Sequence, residues 1–163
     1  MTARFKNAYD ALVKAYFNDH LEYSDCAMCA VGNIIAHSNG YEIRHHVWFY
    51  DGITISPNWG RLINGFGSGE ERASPYAPKQ ALDEIKLTEY SPKEIALIER
   101  EFSKLSRPES VDELRGIDIG NDAVKNENVL YSLVEFIASL DGDTLEFEGN
   151  PFEKTEELAY EMV

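Results

Sequence analysis

The chain has 163 residues, 44% of them hydrophobic and 12% aromatic, enough for one domain with a substantial core and too apolar for a disordered chain. Its net charge of -14 repels phosphate backbones and anionic lipids, so direct nucleic-acid binding is not expected. No apolar run reaches the roughly 18 residues a membrane helix needs. Met1 to Lys6 lack an apolar leader, and two cysteines three positions apart make a poor disulfide framework. The expectation is a cytoplasmic protein that does not bind membranes.

Phe5, Tyr9, Leu12, Val13, Tyr16 and Phe17 recur at helical spacing and predict a first helix that ends at Asn18-Asp19-His20. A second helix is expected from about Cys26 to His37, capped by Ser24 or Asp25 and stopped by Asn39-Gly40. It is apolar on nearly every face and should be central. Gly32 costs it about 1 kcal/mol of helix propensity relative to Ala, which points to a close approach by a neighbouring helix.

His46 to Tyr50 and Ile53 to Ile55 flank Asp51-Gly52, the strong two-residue hairpin signature, and Pro57 stops the second strand. Residues 58–78 are rich in Gly and Pro and read as a loop with one helical turn at Trp59–Ile63. A short helix follows at Lys79–Ile85. Then Ser91, Pro92 and Glu94 form a capping box with Tyr90 and Ile95 as its staple, and the core stripe is Ile95, Ile98, Phe102 and Leu105. Ser110 and Glu113 suggest a weaker box. The last helix should run roughly from Ala123 to Leu140.

The fold class read from this order is mainly α, within α+β, with about five helices and one inserted β-hairpin near 46–55. Two parts are expected: a helical domain over 1–140 and an acidic C-terminal extension over 141–163. The extension carries eight acidic residues against Lys154. Its acids alternate with Phe147, Phe152 and other apolar residues, which fits a tail that docks on this domain or on a partner, or a solvated extension.

Three blocks carry a resemblance. They are Asn7 to Val13 (NAYDALV), Cys26 to Ile34 (CAMCAVGNI) and Tyr90 to Glu99 (YSPKEIALIE). Together, and in this order, they resemble a family of small uncharacterised proteins of Bacteroidetes bacteria and their phages. The match is close over about a quarter of the chain. The resemblance implies a bacterial or phage origin and a small helical fold, and no activity.

The sharpest candidate for chemistry is Cys26-x-x-Cys29. Placed on the first turn of a helix, both thiols could serve a redox pair or, with two of the four histidines (His20, His37, His45 and His46), a zinc ion, His37 being the candidate on the same helix. Against this, free cysteines suit a tight, buried helix contact. The redox motif belongs after a strand, and the cysteine–histidine spacing fits no standard zinc module. His45 and His46 are read as opening a strand, where adjacent side chains point to opposite faces and do not share an ion.

The Gly65-x-Gly67-x-Gly69 run lacks the Lys of a phosphate loop, and Asp141-x-Asp143 lacks the Gly and Glu of a calcium loop. No nucleophile motif fixes a reaction, so the sequence favours no enzyme. Trp48, Tyr50 and Trp59 are candidate anchors for a protein partner, with Phe147 and Phe152 in the tail.

The functional expectation is a small acidic protein-interaction module, phage- or mobile-element-related, that binds a host or virion protein, a basic one among the possibilities. It would act as a monomer or homodimer. The alternative is a small zinc- or thiol-centred protein built on Cys26 and Cys29.

Overall fold

The computed structural model describes residues 1–23, 25–60, 79–105 and 123–142. Five helices are named among them: α1 (Ala3–Phe17), α2 (Ala30–Asn39), α3 (Lys79–Lys86), α4 (Pro92–Leu105) and α5 (Glu127–Ser139). Strands β1 (Glu42–Arg44), β2 (Val47–Tyr50) and β3 (Ile53–Ile55) lie between α2 and α3 and pair as one antiparallel sheet in the order β1-β2-β3. The α+β expectation holds, with a third strand added to the expected hairpin.

Four helices close a ring of contacts. α1 packs on α2, α2 on α4, α4 on α5 and α5 back on α1, while α3 and β1 lean on α2. The amphipathic stripes account for this: Phe5, Leu12, Ile34, Ile35, Ile95, Ile98, Leu130, Leu133 and Ile137 are all fully buried in one cluster. α2 is the central helix, buried continuously from Ala30 to Ala36. Its stop is the expected one, with Gly40 at φ 72° returning its N–H to the last turn.

The capping box also forms. Glu94 N donates to Ser91 Oγ (3.1 Å), and Ser91 N donates to Glu94 Oε1 (3.0 Å). Asp51 and Gly52 both adopt positive φ, which is the twist a two-residue hairpin turn requires.

Two local readings are corrected. α2 begins at Ala30, four residues later than expected, because Asp25 O accepts from both Met28 N and Cys29 N and holds residues 25–29 as a turn. Cys29 is therefore the N-cap, its sulfur accepting from Gly32 N at 3.3 Å, and Cys26 lies outside the helix. The chain also pairs one strand earlier than expected. His45 and His46 form the β1–β2 turn instead of opening a strand. His46 takes the left-handed position (φ 66°), which His tolerates better than most residues.

The Gly-rich 61–78 segment, the Ser110–Glu113 box and residues 143–163 fall outside the described residues.

Candidate metal centre

The 25–29 turn is fixed from several directions. Trp48 Nε1 donates to Ala27 O (3.1 Å) and Trp59 Nε1 to Cys26 O (2.9 Å). Asn33 Nδ2 lies within 3.0 Å of three carbonyls, those of His20, Met28 and Cys29. Gly32 allows the closest approach: a Cβ there would lie 2.4 Å from Cys26 O and 2.6 Å from Ala27 C. The neighbour that demands glycine is thus the chain's own turn, and not another helix.

These contacts also correct the reading of the aromatics. Trp48 is fully buried and Trp59 is 4% exposed, so neither offers a surface to a partner. Both are spent on holding the turn. Tyr50 is exposed, as a partner contact must be, and Phe147 and Phe152 lie outside the described residues.

The turn presents Asp25. Its carboxylate is almost wholly buried, and Oδ1 accepts from Ala27 N at 2.9 Å. Oδ2 accepts from His46 N at 3.1 Å, which ties the turn to the tip of the β1–β2 hairpin. The same oxygen lies 3.3 Å from His46 Nδ1 and 3.7 Å from His45 Nδ1. Glu22 Oε2 stands 3.2 Å from His45 Nδ1, and that oxygen is buried without a well-formed hydrogen bond. The two imidazoles, with ring centroids 4.4 Å apart, are largely open to solvent. One ligand atom each from Asp25, His45 and His46 falls within a span of 4.8 Å.

Three donors within that span could hold one metal ion. Ligand atoms about 2.1 Å from a tetrahedral ion stand about 3.4 Å apart, close to the separations seen here before any adjustment. Two imidazole nitrogens and a carboxylate are the donor set of transition metals such as zinc or iron(II), whereas calcium and magnesium favour oxygen. Ala27 N holds Oδ1 and His46 N holds Oδ2, so both oxygens of the carboxylate are fixed in orientation.

The expected metal set of Cys26, Cys29 and His37 is not brought together. The cysteines line a cavity of about 230 Å³ beside Glu99, Phe102 and Trp59. His37 lines a different cavity, between α1, α2 and β1. Burial pushes the Cys29 thiol well above its ordinary range, with the Glu99 carboxylate adding to the effect, and burial, Glu99 and Asp25 together raise Cys26. Thiols so raised form thiolate less readily, which weighs against a redox pair. The sequence signal that could have found the histidines was the alternation of Tyr41 to Arg44. That alternation makes His45-His46 a two-residue link between strands.

The chain matches no family model, no curated protein and no solved structure. No described helix is long and apolar enough to cross a membrane.

Proposed function

We propose that this protein binds a divalent transition-metal ion, zinc first among them, through Asp25, His45 and His46, with Glu22 next in reach. The observation that carries the reading is the placement of both histidine Nδ1 atoms, 3.3 and 3.7 Å from one buried carboxylate oxygen. The histidines come from a hairpin turn and the carboxylate from a helix-leading turn, so the ion would clamp two separate parts of the fold. Three protein ligands leave a coordination position open to water or to a partner's side chain.

Calorimetric titration of metal-stripped protein with Zn²⁺ tests this. Saturable binding of a single ion per chain is expected, lost in Asp25→Asn and strongly weakened in His46→Ala. Replacement by Co²⁺ should give the visible absorption of a four- or five-coordinate ion. Weak binding that both variants leave unchanged would mean that the cluster is a set of surface hydrogen bonds.

A second reading has its own observation. Tyr50 and Ile53 are 52% and 63% exposed and sit opposite each other in register at the Asp51-Gly52 end of the sheet. An apolar pair at a hairpin tip, on a chain of charge -14, supports the interaction module expected from composition, with a basic protein as its partner. Capture from the native host lysate should then fall as salt rises and should fail in Tyr50→Ser/Ile53→Ser. Capture that neither change alters argues against this surface.

A further inference from the structure

The largest cavity among those described lies away from the metal cluster. It has a volume of about 710 Å³ and sits between the C-terminal half of α1, α2 and β1. That volume is within the range of small-molecule sites, roughly 300–1,000 Å³. Its walls are apolar where Ala11, Ala15, Tyr41 and Ile43 contribute, and polar where Lys14, His20 and His37 do.

The charge balance around it is unusual for so acidic a chain. Asp10, which faces His37 from α1, has its own cation in Lys6 at 3.4 Å. Glu42, the one acid on the lining, pairs with Arg44 at 3.7 Å. Lys14 has no ion pair among the described residues and stands half-buried at the cavity wall. Among the described residues the nearby carboxylates are thus partly answered, and the Lys14 ammonium has no acidic partner there.

Rigid groups hold this arrangement. Asn33, on the lining, is committed to three backbone carbonyls, and Asn18 Nδ2 caps α1 by donating to Lys14 O at 2.7 Å. Tyr41 is packed against Trp48 and Tyr50, with centroids 5.5 and 5.8 Å apart. The wall that would meet a ligand's apolar body is therefore preformed, and little ordering is left for binding to supply.

We infer that this cavity binds a small organic anion, a carboxylate carried on an apolar body, with Lys14 as its counter-ion and His37 as a hydrogen-bond partner. The anion's head meets the Lys14 ammonium, and its body lies along Tyr41, Ile43 and the alanines of α1. Burial lowers the basicity of His37, ahead of opposing effects from Asp10 and a further lowering by Lys14, so the ring is a neutral donor near neutral pH. The inference does not rest on the metal reading, because none of Asp25, His45 and His46 lines this cavity.

The experiment is an NMR titration of the whole protein with benzoate, in the presence of chelator so that no metal contributes. The His37 ring protons should shift saturably while those of His45 and His46 stay in place, and Lys14→Gln should weaken binding about tenfold or more. The variant keeps the first two methylenes of the stem and is checked for an unchanged melting temperature. Benzylammonium, of the same shape and opposite charge, should not bind, and inorganic phosphate should bind more weakly than benzoate. The inference is overturned if benzoate gives no saturable shift, if Lys14→Gln binds it equally, or if benzylammonium or phosphate binds as well.

Discussion

Arg4 and Asp141 meet across 137 positions of sequence, the Arg4 Nε donating to Asp141 Oδ1 at 2.7 Å. The same guanidinium forks onto Glu94, with 2.9 Å to each carboxylate oxygen, and lies 4.4 Å over the Tyr90 ring. One side chain thus ties the start of α1 to the start of α4 and to Asp141, two residues beyond α5. Its partners are mostly shielded, Asp141 nearly completely. Arg4→Met would leave two carboxylates facing each other without a cation. Breaking a buried pair costs about 3–5 kcal/mol, and partial exposure reduces this to about 2–3 kcal/mol here. Arg4→Lys should recover only part, since it lacks the fork. Urea unfolding midpoints check both; a loss below about 0.5 kcal/mol in Arg4→Met would show that the network is solvent-screened.

The same network sets an acid dependence. Burial alone would raise the Glu94 and Asp141 carboxyls, but the hydrogen bonds from Arg4 outweigh it and hold both below the ordinary carboxylate range. Groups whose folded value is depressed contribute stability above their unfolded value and lose it as pH falls through the folded one. The stability gap between the wild type and Arg4→Met should therefore be full at neutral pH and close from about pH 5 downward. A gap that stays constant to pH 3 would place the effect in packing against Tyr90.

Much of this fold was legible because its helices announce themselves. Phe5 to Phe17 and Ile95 to Leu105 have clean stripes, and Ser91-Pro92-x-Glu94 gives a start signal that needs no tertiary help. The candidate site was not legible. The Asp25 turn has no local signature of its own: it exists because two indoles and Asn33, at distant positions, capture its carbonyls. The His45-His46 turn lacks the Asn-Gly type of pair that marks such turns and is held by a hydrogen bond from His46 N to Asp25, a residue 21 positions away. Long-range contacts overrode the local reading in both places, and they did so where two titratable clusters meet.

Gly32 tests how tightly the turn is built. Alanine is the better helix former by about 1 kcal/mol, so an ordinary buried glycine in α2 would gain from the change. Here the added carbon would meet backbone at 2.4 to 2.6 Å, and backbone cannot swing aside as a side chain does. Gly32→Ala should lose about 2–3 kcal/mol net, the range of overpacked cores. It should also weaken zinc binding, since the displaced residues adjoin Asp25. A variant that melts higher than the wild type would show that the turn yields freely.

The thiols should report their surroundings. Cys26 is exposed and Cys29 buried. Burial, then the charges of Glu99 and Asp25, push the Cys26 thiol up, so its reaction with a disulfide reagent should be slow at neutral pH and accelerate above pH 9. Cys29 should react only on unfolding. Fast reaction of both in the native protein would reopen the redox role that their spacing first suggested.

Zinc should stabilise the fold as well as bind to it. An ion that binds only the folded state at about 100 times its dissociation constant adds about 2.7 kcal/mol. In a domain of this length that corresponds to a rise in melting temperature of about 5–10 °C. The rise should vanish in Asp25→Asn, and magnesium, which favours oxygen donors, should not produce it. The linkage follows from the geometry: His45, His46 and Asp25 join a hairpin to the turn that leads into α2, so an ion held among them must be released before either can move away. If zinc binds without raising the melting temperature, then the unfolded chain binds it equally well, and the folded arrangement of Asp25, His45 and His46 is not its seat.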